Sequence, residues 1–139
     1  MSDCFILLAA GKGKRFKSNT LKQFHILNGK PLIYHSIEKA IKSKIFKEII
    51  VVTNSKIKKP KDKTIKVIKG GSERFESSKR ALEYIKNKKF KNVYIHDAAR
   101  PNFSIKLLKR LKRELNNSKA VVPYTNTDHS VKYKEGANI

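Results

Sequence analysis

The sequence predicts an α/β fold, a mostly parallel sheet with helices on both faces. Short β-branched or wholly apolar runs alternate with segments whose apolar residues recur at helical spacing. The residues able to do chemistry fall just after those runs, where open parallel sheets bind their ligands. A chain of 139 residues fits one domain. Its apolar content of 39% is enough to build a core and excludes a disordered tail.

Each element follows from its residues. Cys4-Phe5-Ile6-Leu7-Leu8-Ala9-Ala10 is apolar throughout and reads as a strand buried on both faces. Gly11-Lys12-Gly13-Lys14-Arg15 is a flexible basic loop, and residues 16–30, without periodicity, read as an extended loop. Pro31 suits a first helical turn; Ile33, Ile37, Ala40 and Ile41 then mark one apolar face of a helix to about Lys44. Glu48-Ile49-Ile50-Val51-Val52-Thr53 is a second buried strand. Thr64-Ile65-Lys66-Val67-Ile68 alternates in part and reads as a third, near a sheet edge. Gly70-Gly71 is a turn, and Ser72 caps a helix whose apolar positions are Phe75, Ala81, Leu82 and Ile85. Asn92-Val93-Tyr94-Ile95-His96 is a fourth strand ending in Asp97. Ser104 caps a helix through about Asn116, with Leu108, Leu111 and Leu115 on one face. Ala120-Val121-Val122-Pro123 reads as a fifth strand, and Ser130-Val131-Lys132-Tyr133 begins a sixth.

Composition narrows the function. Lys and Arg number 33 against 11 Asp and Glu, a net charge of +22. Nearly all of the excess is lysine, 27 against 6 arginines, spread along the whole chain. Lysine is less suited than arginine to bidentate reading of bases or phosphates. The densest stretch, Lys56 to Lys66, holds none of the aromatic residues on which single strands stack. The charge therefore reads as a solvated surface that attracts polyanions without selectivity, and no specific nucleic-acid partner is expected. No apolar run approaches the ~18 residues of a membrane helix. Met1-Ser2-Asp3 leads straight into the first strand without a basic n-region, so neither a secretory signal nor a membrane partner is expected. One cysteine leaves no internal disulfide framework and no Cys-rich zinc site.

Three loops carry the candidate chemistry. In Leu8-Ala9-Ala10-Gly11-Lys12-Gly13-Lys14-Arg15, small residues let the backbone approach a phosphate chain. Phe16 stands where a dinucleotide fingerprint needs its third glycine, and no Walker lysine follows. Gly70-Gly71-Ser72-Glu73-Arg74-Phe75-Glu76-Ser77 sets a double glycine before a helix, able to hold a base or an anion by its backbone. Ile95-His96-Asp97-Ala98-Ala99-Arg100-Pro101 puts a carboxylate at the end of a strand, followed by small residues and an arginine. Asp97 can hold a magnesium ion and Arg100 can pair with a phosphate. By strand alternation His96 faces away from Asp97 and reads as structural, His25 and His35 show no ligand spacing, and Cys4 reads as core.

These loops, together with the Lys22-Gln23 pair, occur in an order and at separations that resemble the 2-C-methyl-D-erythritol 4-phosphate cytidylyltransferases of the non-mevalonate isoprenoid pathway. The resemblance runs from about residue 4 to residue 133. It implies a Rossmann-like three-layer α/β/α nucleotidyltransferase fold with its C-terminal part missing. Residues 1–139 would be a cytidylyltransferase domain cut near the start of the dimerisation β-arm. It implies that Ala9, Ala10, Gly11 and Gly13 cradle the CTP triphosphate, and that Arg15 and Lys22 steady charge on the α-phosphate. Gly71, Ser72 and Ser77 would read the cytosine, and Ala98 would contact the ribose. Asp97 would bind Mg²⁺, while Arg100 and Ser130 would face the sugar-alcohol phosphate. A cytoplasmic homodimer is expected of the complete protein.

Several positions depart from the family pattern. Leu21 replaces the usual proline before Lys22, which predicts a looser loop around that lysine. Ser72 stands at an often acidic position, Ser78 at a usual valine and His129 at a frequent aspartate. Family members run well past the equivalent of Ile139, so residues 1–139 alone are expected to turn over weakly or not at all. Two other readings stay open from the residues: a ribitol-5-phosphate cytidylyltransferase, and a basic nucleic-acid-binding domain without turnover.

Overall fold

The computed structural model describes residues 2–12 and 19–126. Strands β1 (Ser2–Leu8), β4 (Phe46–Val52), β5 (Ile65–Ile68) and β6 (Phe90–Asp97) form one sheet in the order β5-β4-β1-β6. Every pairing in it is parallel. Helix α1 (Leu32–Ser43) lies between β1 and β4, α2 (Arg74–Ile85) between β5 and β6, and α3 (Ile105–Glu114) follows β6, while β4 runs to β5 without a helix. The parallel α/β expectation holds, and so does the edge position of the third expected strand, β5.

Strand pleating explains the three layers. Alternate residues of a strand point to opposite faces. Phe5, Leu7 and Ala9 pack with Ile33, Ile37 and Ala40 of α1 and Leu108 of α3. Cys4, Ile6 and Leu8 pack on the other face with Ala81 and Ile85 of α2. Burial on both sides is what makes β1 apolar at every position from Cys4 to Leu8, none above 8% exposed. Helix α3 starts where expected: the Ser104 hydroxyl accepts the Leu107 N–H at 3.0 Å.

Four expectations need correction. Residues 16–30 are not simply a loop: Lys22–Phe24 is a 3-10 turn, and β2 (Ile26–Leu27) pairs antiparallel with β3 (Lys30–Pro31). The link between β2 and β3 is Asn28-Gly29, both at positive φ (48° and 80°), the dipeptide that two-residue hairpins favour. Glu73, not Ser72, is the N-cap of α2, because Glu76 reaches back to the Glu73 N–H at 3.2 Å. Phe75 and Leu82 are 69% and 44% exposed. The buried row of α2 is Ser77, Ala81 and Ile85, four residues apart, and Phe75 and Leu82 stand off that row. Finally, Ala120-Val121-Val122-Pro123 forms no strand, and Val122 is 82% exposed. A strand needs a ladder partner for its N–H and C=O groups. Among the described residues this segment has none, while the outer edge of β6 stays open with Ile95 44% exposed. The expected sixth strand, Ser130 to Tyr133, lies outside the described residues.

Candidate active site

The site lies at the carboxyl ends of β1 and β6 and the N-terminus of α2. Two backbone bonds fix its floor: the Ala9 N–H donates to Val52 O at 2.7 Å and the Ala98 N–H to Leu8 O at 2.9 Å. They tie the loops after β1 and β6 to neighbouring strands. Ala9, Ala10 and Ala98 are buried, as residues carrying the floor of a cleft must be.

Of the residues expected from sequence, Ala9, Ala10, Gly11, Lys22, Ser77, Asp97 and Arg100 line one cleft of about 230 Å³. They come from four separate chain segments. Ala98 sits beneath it, fully buried. Gly71 and Ser72 stand beside it, at the entrance to α2. The Gly71 N–H donates to Ser77 Oγ at 3.1 Å and the Gly71 carbonyl accepts from Asn54 Nδ2 at 3.0 Å. The Ser72 N–H and hydroxyl both donate to Glu76 Oε2, at 2.6 and 2.7 Å. Bonding from the Ser72 hydroxyl, then from the Ser72 and Glu73 amides, holds the Glu76 carboxyl below its ordinary range. Gly13, Arg15 and Ser130 lie outside the described residues.

Asp97 is the only carboxylate lining the cleft among the described residues. Arg74 Nε lies 3.1 Å from its Oδ1 and Arg100 Nε 3.4 Å from its Oδ2. No three His, Cys, Asp or Glu side chains among the described residues group as a metal centre. One carboxylate on an open cleft rich in cations does not suit a closed zinc site. It suits Mg²⁺, which takes one or two carboxylates and completes its shell with water and substrate phosphate.

The histidines and the cysteine behave as their spacing predicts. His96 stacks edge-on against Phe103, centroids 4.7 Å apart, and its Nε2 meets Arg100 O at 2.7 Å. His35 Nε2 meets Leu27 O at 2.7 Å and His25 Nε2 meets Thr20 O at 3.1 Å, both structural. Cys4 is fully buried, and burial pushes its thiol up to about 12.

Three further contributors come from the candidate loops and the Lys22-Gln23 pair. Arg74 lines the cleft and holds Asp97. Gly70 is where β5 runs against the first loop: a Cβ there would sit 2.3 Å from Ala10 Cβ and 2.9 Å from Ser77 Oγ. Gln23 is buried under the loop it bonds. Sequence position alone brings all three to notice, but their contacts with Asp97, Ala10 and Ala9 are visible only in the fold.

The family model of 2-C-methyl-D-erythritol 4-phosphate cytidylyltransferase matches residues 4–138. The bifunctional enzyme IspD/IspF of Pelagibacter ubique is 49% identical over 143 residues, covering 100% of this chain and 38% of that protein. The 2-C-methyl-D-erythritol 4-phosphate cytidylyltransferase of Caldicellulosiruptor bescii is 39% identical over 140 residues, covering 96% of this chain and 62% of that enzyme. Among solved structures, the bifunctional IspDF of Campylobacter jejuni aligns with a TM-score of 0.74 at 30% identity, over 99% of this chain and 38% of that one. The chain thus spans less than two thirds of the length of each of these relatives. A match over nearly every residue, including all the described loops that converge on Asp97, places the chain in the 2-C-methyl-D-erythritol 4-phosphate cytidylyltransferase family.

Proposed function

We propose that the protein, in its complete form, transfers a cytidylyl group from CTP to 2-C-methyl-D-erythritol 4-phosphate in isoprenoid precursor synthesis. The observation that carries this reading is the convergence of Lys22, Arg74 and Arg100 around one carboxylate, against the small residues Ala9, Ala10 and Gly11. A phosphate oxygen of the acceptor attacks the α-phosphorus of CTP in line. The new P–O bond forms as the bond to the β-phosphate breaks, and pyrophosphate leaves with its electron pair. That oxygen is already ionised at neutral pH, so the reaction asks for positioning and charge stabilisation rather than a strong base. A site of cations without a Ser-His-Asp set meets that demand.

Lys22 neutralises charge on the α-phosphate, with Arg15 as its partner in that task. The loop after β1 lies along the triphosphate. Gly71, Ser72 and Ser77 hold the cytosine, and Ala98 the ribose. Arg100, with Ser130, takes the acceptor's phosphate. Asp97 would hold Mg²⁺, which when bound neutralises phosphate charge and orients the leaving group. For Asp97 to bind a cation, Arg74 or Arg100 must release one of its oxygens. Both guanidinium groups are well exposed and able to turn onto phosphate instead. Homodimerisation and a cytoplasmic location complete the reading, and no helix among the described residues is long and apolar enough to cross a membrane. For residues 1–139 alone we expect CTP binding with little turnover, since the relatives continue well beyond the matched region.

Pyrophosphate release from Mg·CTP, with 2-C-methyl-D-erythritol 4-phosphate and ribitol 5-phosphate in parallel, tests the assignment on the complete protein. Asp97→Ala should lower turnover by a hundredfold or more, in the range of losing one preorganised electrostatic group. Full activity in that variant would refute the site, and preference for ribitol 5-phosphate would refute the acceptor.

A further inference from the structure

Gln23 is the one buried residue of the 3-10 turn Lys22–Phe24, only 4% exposed. Its Nε2 donates to Ala9 O at 2.8 Å and to Gly11 O at 3.2 Å. Both partners are carbonyl oxygens, so the NH₂ end of the amide must face them, and both of its protons are spent. The turn itself closes through Phe24 N–H to Leu21 O at 2.9 Å and His25 N–H to Lys22 O at 3.2 Å. The Ala9 end of the link is anchored by the Ala9 N–H, which donates to Val52 O on β4 at 2.7 Å. One side chain therefore links the turn carrying Lys22 to the loop after β1, and through Ala9 to the middle of the sheet.

The link also sets the direction of backbone donors. In a planar trans peptide the N–H of residue i+1 points opposite to the C=O of residue i. Pinning Ala9 O and Gly11 O toward Gln23 turns the N–H groups of Ala10 and Lys12 away from it. Among the described residues neither of those N–H groups has an acceptor. Such a pair of fixed, unspent donors is what an anion needs. Leu21, not a proline with its fixed φ, precedes Lys22, so this turn lacks that local stiffening and relies on the buried amide.

We propose that Gln23 is a positioning residue for the nucleotide's phosphates: its amide holds the Lys22 turn and the loop after β1 as one piece and aims the Ala10 and Lys12 N–H groups. The inference rests on reading this cleft as the CTP site. Asparagine is one methylene too short to reach both carbonyls. Methionine fills the space without a donor. Glutamate has the right shape but donates nothing when ionised; burial raises its pKa, so acid restores one donated hydrogen bond.

Calorimetric titration with Mg·CTP, on folded wild type, Gln23→Met and Gln23→Glu, tests the proposal. Both variants should bind at least tenfold more weakly at pH 8. Relative to wild type at each pH, Gln23→Glu should recover several-fold at pH 6, and Gln23→Met should not. Wild-type affinity in both variants would overturn the proposal. So would an equal loss with no pH-dependent difference between them, since packing alone explains that result. A second measurement needs no nucleotide: hydrogen exchange of the Ala9 amide should speed up about tenfold in Gln23→Met, and unchanged protection overturns the link. If the wild type fails to bind CTP, the reading of the site falls, and the exchange measurement still decides the role of Gln23. Should Gln23→Met not fold, Gln23→Asn replaces it with the same expected losses.

Discussion

Replacing Gly70 by alanine attacks the site at its tightest packing. The new Cβ would stand 2.3 Å from Ala10 Cβ, 2.9 Å from Ser77 Oγ and 3.3 Å from Val52 Cγ1. Real Cβ atoms do not approach closer than 3.0 Å, so the gap to Ala10 must open by about 0.7 Å. Relief is hard to find. Ala10 Cβ is fixed to backbone, Ser77 already accepts the Gly71 N–H, and Val52 is in β4 with no exposure. Overpacking of this kind costs roughly 1–3 kcal/mol. With a urea slope of about 1–3 kcal/mol/M, a loss near 2 kcal/mol lowers the midpoint by about 1 M. Function should suffer more than stability. Separating the base-side turn from the loop after β1 by a large part of an ångström shifts two halves of one ligand site, and misplacements near 1 Å can cost about a hundredfold. Urea unfolding and Mg·CTP titration on the same preparations measure both effects. Gly11→Ala is the control, because a Cβ there meets no described residue within 4 Å; its stability should stay within about 0.5 kcal/mol of wild type. Equal midpoints and equal CTP affinity for Gly70→Ala and wild type would sink the packing argument.

Other consequences are as direct. Cys4 has no exposure and its thiol is pushed up to about 12, so a thiol reagent at pH 8 should label unfolded but not native protein; prompt labelling of the native state would contradict the burial. Glu76 is held below its ordinary range by Ser72 and Glu73, so its contribution is present above the unfolded carboxyl value and lost as pH falls through the folded one. The stability gap between wild type and Glu76→Gln should accordingly close on acidification from pH 7 to pH 3 in urea titrations, and a gap that widens would reverse the sign. Binding to a long single-stranded DNA should fall by orders of magnitude between 50 and 200 mM salt, as for an unselective polycation; tight, salt-resistant binding would favour the nucleic-acid reading instead.

Legibility in the sequence followed how local the cause was. Strand β1 could be read because burial on both faces leaves an unbroken apolar run from Cys4 to Leu8. The cap at Ser104 was legible because an N-cap is a bond over three residues. The hairpin of β2 and β3 was equally local and was signalled by Asn28-Gly29, yet a stretch lacking periodicity concealed it. Phe75 misleads because apolar character alone does not say which side of a helix meets the sheet; only the row of Ser77, Ala81 and Ile85 does. The segment Ala120 to Pro123 has strand composition and no ladder partner among the described residues, and composition cannot supply a partner. In the site, Lys22, Asp97 and Arg100 were named by motif. The bonds from Gln23 to Ala9 and from Arg74 to Asp97 cross 14 and 23 positions of sequence, and no local pattern encodes them.

The same distinction settles what the net charge of +22 does. At physiological salt the Debye length is about 8 Å, so lysines on distant faces contribute little to the field in the cleft. What acts there is local. Arg74 and Arg100 face one carboxylate, and Lys22 lies along the same wall. Before any ligand arrives the two arginines are partly satisfied by Asp97, which spares the site two unpaired guanidinium groups. A ligand that brought only negative charge would compete with Asp97 for them and be repelled by it. A ligand that brought only a cation would have to displace them. A phosphate chain carrying its own divalent cation would answer both conditions, giving Asp97 a new partner while the arginines turn to phosphate. On the proposed reading of the cleft, the geometry around Asp97 would therefore favour a metal–nucleotide complex over either component alone, for a reason the total charge does not contain.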